Sequence, residues 1–228
     1  SYPDPRGERQ AHLAQITGNW GRFEPVLGQP AGSGATVDYR YRNSRKVSFE
    51  AREIRVPKLL QDVKNYLKSS PPQLDWQKLS IDNIGYRLVV ENQRDYVGGV
   101  GAPWSLDLEP RPNHFDRRVT VSTPLQKAGA YLLTAKLEGG NESNIVLWVS
   151  DAALVKKALT DKTLYFLADA VTGAPIPKAN LEFFGYRQRH IDGNRFTVDT
   201  QNFAEFTNAE GQVLAGNDRL PHDFTWLV

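Results

Sequence analysis

The residues able to do chemistry are few and scattered. Four histidines, His12, His114, His190 and His222, lie far apart, with no H-E-x-x-H pair and no second ligand at fixed spacing. Asn113-His114-Phe115-Asp116 sets an imidazole and a carboxylate two residues apart. That pair could begin a metal site, but the further ligands that zinc takes are missing. Asp107 and Glu109 alternate in "SLDLEP", so a strand would turn both carboxylates to one face, as glycosidases require. Two solvated acids on an exposed strand satisfy the same pattern. "GGVGAPW" (98–104) is glycine-rich, yet it lacks the Lys and Ser/Thr of a phosphate loop and the third glycine of a dinucleotide turn. It reads as a mobile loop. With no G-x-S-x-G elbow either, the expectation is a protein without catalytic residues, cofactor or metal.

Composition points the same way. Twenty-eight basic residues against 26 acidic ones leave a net charge of +2, so nothing favours nucleic acid or anionic lipid as a partner. The absence of cysteine removes disulfides, thiolate metal sites and a cysteine nucleophile, and leaves the redox compartment open. Ile145-Val146-Leu147-Trp148-Val149 is the longest apolar run and is far too short to cross a bilayer. The chain starts at Ser1, has no methionine and stops in the apolar run Phe224-Thr225-Trp226-Leu227-Val228. It reads as a piece of something larger.

The elements that must position these residues are mostly strands. Residues 1–34 read as an arm or linker with a short helix around Glu8 to Gln15, pinned by Trp20 and Phe23. From Ala35 the period becomes two: Val37, Tyr39 and Tyr41 face a core, while Asp38, Arg40 and Arg42 face away. If this strand and the next form a hairpin, Arg40 faces Glu50 and Asp38 faces Arg52. Val47, Phe49 and Ala51 continue the pattern until a bulge near Arg52 or Glu53 puts Ile54 out of phase. Pro57 opens a helix near 57–69 with Leu59, Leu60, Val63, Tyr66 and Leu67 at helical spacing, closed by Ser69-Ser70-Pro71-Pro72. Strands are predicted over 85–91, 119–122, 130–137 and 144–150. From Ala152 a second unit begins, with Tyr165 and Leu167, then Leu181 and Phe183, at alternate positions, and with "RQRH" (187–190) as a loop tip. The fold class expected is all-β: two tandem β-sandwiches, residues 35–151 carrying the helical insertion and residues 152–228 incomplete.

Short turn motifs then carry a resemblance. "LYFLADAVTGAPIPKANLEFFG" followed by "FTNAEGQV" resembles the strand, T-G-x-P turn, strand and T-N-x-x-G pattern of macroglobulin domains, the fibronectin-like sandwiches of the alpha-2-macroglobulin family. "YRYRNSRKVSFEAREI" and "AGAYLLTAKLEG…NIVLWVSD" resemble the Arg-Asn corner and the closing strand pair of a preceding domain, and the arm and helix are similar to those of large bacterial members. The resemblance implies a scaffold portion of a bacterial protease trap, secreted or in the cell envelope or periplasm. Its partners would be other domains of the same chain and target proteases. The family's thioester needs a cysteine, so it cannot lie here. The physics of the motif itself is structural: Gly173 supplies a positive φ, Pro175 and Pro177 remove amide donors, and Asp169 can accept bonds from turn amides.

Two residues remain as candidate contacts. Val146 and Trp148 lie on the opposite strand face to Ile145, Leu147 and Val149, and Trp148 is expected to be covered at the domain junction or beneath the helix. An exposed Trp148 would instead mark a binding surface. The alternative function is a carbohydrate-binding or adhesin module in which Trp76, Trp104 or Trp226 stack on sugar rings.

Overall fold

The computed structural model describes residues 7–81, 83–101, 103–193 and 195–228. The chain begins with α1 (Glu8–Thr17), β1 (Trp20–Phe23), β2 (Gln29–Pro30), β3 (Thr36–Arg42) and β4 (Lys46–Ile54). A helical stretch follows: α2 (Val56–Lys68), α3 (Trp76–Leu79) and α4 (Ile84–Val89). Next come β5 (Val97–Val100), β6 (Trp104–Asp107), β7 (Arg117–Ser122), β8 (Gly129–Leu137) and β9 (Glu142–Ser150). The last part holds β10 (Ala152–Ala158), β11 (Lys162–Asp169), β12 (Asn180–Asp192), β13 (Arg195–Phe206), β14 (Gln212–Gly216) and β15 (Thr225–Leu227). Contacts divide the chain into two units, one of residues 1–54 with 84–149 and one of residues 55–83 with 150–228. The helix expected within the first sandwich therefore groups with the second, and Trp20–Phe23, expected in the arm, is a strand.

In the first unit a three-stranded sheet, β1-β3-β7, faces a six-stranded one, β2-β9-β8-β4-β5 with β6 also on β4. Period two does what it predicts: Val37, Tyr39 and Tyr41 are buried together with Val47, Phe49, Leu133 and Leu147. The conditional hairpin does not form. β3 pairs with β1 and β7 while β4 pairs with β8, because the chain turns from one sheet to the other at Asn43, whose φ is 68°. Arg40 instead pairs with Glu24 at 2.9 Å, and Asp38 accepts from Thr120 at 2.7 Å. The predicted bulge falls between Arg52 and Ile54, against β5. The strand predicted over 85–91 is instead α4. Ile84 and Leu88 are one helical turn apart and both buried, and an i, i+4 pair followed by Val89 and Val90 mimics a buried strand.

The second unit has three layers. β10-β11-β14 and β13-β12-β15 enclose Tyr165, Leu181, Phe183 and Val213. On the other face of β12, Phe184 joins Val198 beneath Val63 and Leu67 of α2. Phe183 stacks on Phe203 with centroids 4.5 Å apart, and Gly185 leaves room for Trp226, whose ring would lie 2.8 Å from a Cβ there. Ser70, at φ 47°, ties the end of α2 to β13 by accepting from the Val198 amide at 3.0 Å.

Tyr39 is fully buried, its hydroxyl has no partner, and burial pushes its pKa up to about 12. Removing an unsatisfied buried hydroxyl recovers its desolvation cost, so Tyr39→Phe should stabilise the fold by about 1 kcal/mol. Above pH 10 the unfolded tyrosine ionises while the folded one stays neutral, so stability falls as pH rises towards about 12. Denaturant melts at pH 7 and pH 11 check both points. A destabilised Tyr39→Phe, or an alkaline loss undiminished in that variant, refutes the assignment.

Candidate functional site

The T-G-x-P turn motif of the second unit is closed upon itself. Asp169 Oδ1 accepts from the amides of Val171 and Thr172, at 3.0 and 2.7 Å, and from the Thr172 hydroxyl at 2.9 Å. Hydrogen bonds from Thr172 and Val171 hold that carboxyl below the usual carboxylate range. Gly173 takes φ 71°. Thr207, buried, donates to the Ile176 carbonyl at 2.7 Å and accepts from the Ala179 amide at 2.9 Å. Gly211, at φ 69°, presses on the same turn: a Cβ would sit 2.5 Å from the Leu167 oxygen. Thr172, Gly173, Thr207 and Gly211 are each used within the turn.

The residues singled out for chemistry are kept apart. His114 Nδ1 is bonded to Asn43 at 2.8 Å, and Asp116 is ion-paired with Arg42 at 3.5 Å. Asn43 explains this arrangement, since its amide also donates to the carbonyls of Ile16 and Gly18 at the end of α1. No group of three or more His, Cys, Asp or Glu able to hold a metal occurs among the described residues. Asp107 lies opposite Lys46, and Glu109, exposed, pairs with Arg117 at 3.1 Å. "GGVGAPW" is no mobile loop over its first part. Gly98 and Gly101 bring the backbone close against Glu53 and Ala51 of β4, which a side chain would hinder; Ala102 lies outside the described residues. "RQRH" is not a loop tip but part of β12, held because Arg187 and Arg189 both reach Asp199, at 3.0 and 3.1 Å. Asn141 is committed too: its side chain pairs with both backbone groups of Gly21.

The aromatic residues divide. Trp104 stacks on Phe49 at 5.4 Å and Trp226 packs edge-on to Phe203 at 5.6 Å, so neither joins an exposed sugar platform. Trp76 is 64% and Trp148 40% exposed, in different units. Trp148 is thus not covered as expected. It stands on the outer face of the six-stranded sheet, in the same row direction as Val146, with Ala130 and Leu132 opposite them on β8. Val146 is half-buried because Gly85 lets α4 lie close, its Cβ position being 3.4 Å from Val146 Cγ2. Along α4 runs an apolar groove of about 280 Å³ lined by Tyr86, Val89, Val90, Leu132 and Val146. It adjoins a polar one of about 430 Å³ lined by Arg52, Arg94, Lys136 and Glu142. Sequence reading named Val146 and Trp148 but missed the α4 side of this surface because it took α4 for a strand. The signal available was the Ile84/Leu88 spacing around Gly85.

A self-contained turn motif on paired sandwiches defines the class: an all-β, macroglobulin-like fold. No protein-family model matches the sequence, and no curated protein matches it. Solved structures do. The chain is similar to native alpha-2-macroglobulin from Escherichia coli spanning domains MG0-NIE-MG1, with TM-score 0.54 and 13% identity over 92% of this chain and 64% of that one. It is similar also to the NIE-MG1 portion of the same protein, with TM-score 0.51 and 15% identity over 92% of this chain and 97% of that one. Against the cryo-EM structure of E. coli alpha-2-macroglobulin the match covers 12% of that chain. The described fold is therefore that of bacterial alpha-2-macroglobulin domains. No helix among the described residues is long and apolar enough to cross a membrane.

If the motif is structural, its loss costs stability. Thr207→Val keeps the shape and removes two hydrogen bonds, and should lower the unfolding free energy by about 1–3 kcal/mol. The stability that Asp169 contributes is present above its unfolded pKa of about 4 and disappears as pH falls through the lowered folded value. Asp169→Asn should therefore flatten the acid limb of a pH–stability curve below about pH 4. Unchanged melts in both variants would make the motif dispensable.

Proposed function

We propose that the chain is a non-catalytic structural and interaction segment of a larger alpha-2-macroglobulin-like protein of the bacterial envelope, periplasm or secreted fraction, whose parent inhibits proteases by trapping them. The observation that carries this reading is the fold likeness to the NIE-MG1 portion of the E. coli protein over nearly its whole length. The chemistry supports it. His114, Asp116 and Glu109 are bonded to separate partners, and the turn motif is spent on holding strands. The chain would keep domains in register, with Val146, Trp148 and the α4 groove as contact surface for other domains of the same protein. Since this segment has no cysteine, a thioester would belong to another part of the parent.

The test uses the full-length protein containing this chain: its intact mass before and after methylamine, and its migration after exposure to a broad-specificity protease. Retained protease with a methylamine mass gain makes the parent a thioester trap; retained protease without the gain makes it a trap that lacks a thioester. If no protease is retained, the inhibitor reading fails.

A further inference from the structure

The edge of the sheet in the second unit carries an inference of its own. β10 has β11 on one side and no strand on the other among the described residues. Its residues from Ala153 to Ala158 are exposed on both faces, with Leu154 at 41% and Val155 at 56%. The pairing parity identifies which backbone groups are open. Leu159 donates to Lys162 and Ala170 donates to Asp151, so the odd-numbered residues of this strand face β11. In an antiparallel pair the alternate residues point their N–H and C=O away. Leu154, Lys156 and Ala158 therefore present a ladder to the open side.

Two of the other edges are stitched. β1 has its Gly21 and Phe23 amides taken by Asn141 and Ser143, and β13 has its Val198 amide taken by Ser70. Charge then says what β10 would accept. Lys156 and Lys157 are adjacent, exposed and on opposite faces, and they stand across from Tyr165 and Leu164 rather than from carboxylates. We propose that the open edge of β10 docks an extended segment of a partner protein as an added strand. Carboxylates of that segment would lie beside Lys156 and Lys157, and β-branched side chains beside Leu154 and Val155. Main-chain bonds supply affinity there, and the lysines select an acidic segment. This surface does not depend on the protease-trap reading.

Lysines on an edge can also serve only to keep like edges apart, and such an edge binds no acidic peptide. Two blocked peptides separate the cases: Thr-Val-Glu-Glu-Val-Thr-Val-Thr and its counterpart with lysine in place of glutamate. With the 228-residue chain and peptide at about 1 mM, amide exchange of Leu154, Lys156 and Ala158 should slow about tenfold with the acidic peptide and not with the basic one. Lys156→Pro removes an outward N–H without costing a bond to β11, and should abolish the protection. The double variant Lys156→Glu with Lys157→Glu should reverse the peptide preference. No slowing, equal slowing by both peptides, slowing at another edge, or protection that survives Lys156→Pro would each overturn the proposal.

Discussion

Each unit is organised around a central strand that is apolar on both faces. In the first unit β8 buries Tyr131, Leu133 and Ala135 against the opposing sheet, yet Leu132 and Thr134 on its other face are buried as well. In the second, β12 buries Leu181 and Phe183 between the sheets and Phe184 on the far side. A two-layer sandwich covers one face of each sheet and leaves the other wet. Such strands therefore need a third layer, and the helices supply it: α4 lies beside Leu132 and Val146, and α2 covers Phe184.

This requirement accounts for the long helical stretch between β4 and β5. It is one segment in sequence but two covers in space, since residues 55–83 group with one unit and Ile84 onward with the other. The glycines follow from the same demand for close approach. Gly85 admits α4 to Val146, and Gly185 admits Trp226 to β12. Where α4 ends, its cover over the outer face of the six-stranded sheet ends too, and the groove and the exposed side of Trp148 are what remains.

Much of the fold was legible because one-sided burial writes a clear period. Val37, Tyr39 and Tyr41 alternate without error, and Leu59, Val63 and Leu67 mark α2. A six-residue helix writes too little of that period: Ile84 and Leu88 bury one face, exposed Val89 and Val90 extend the apolar run, and α4 passed for a strand, so its side of the groove beside Val146 went unseen. Partner choice for β3 was likewise hidden. The alternation of Asp38 and Arg40 fits a hairpin as well as it fits two sheets, and what decides is the left-handed Asn43, whose side chain is bonded to α1 and His114. Those partners are distant in sequence, so no local spacing announces them.

The same contrast separates the kinds of function available to this chain. Chemistry needs polar groups brought together and left partly unsatisfied, so that a substrate completes them. Here His114, Asp116, Glu109, Asp169 and Arg187 are each engaged by a different neighbour. The groups left open are of another sort: apolar side chains on a helix-flanked face and main-chain groups along a strand edge. Neither can polarise a bond, but both gain free energy when another surface covers them. Those apolar and main-chain surfaces, with the open lysines on β10, are what the proposed scaffold reading rests on.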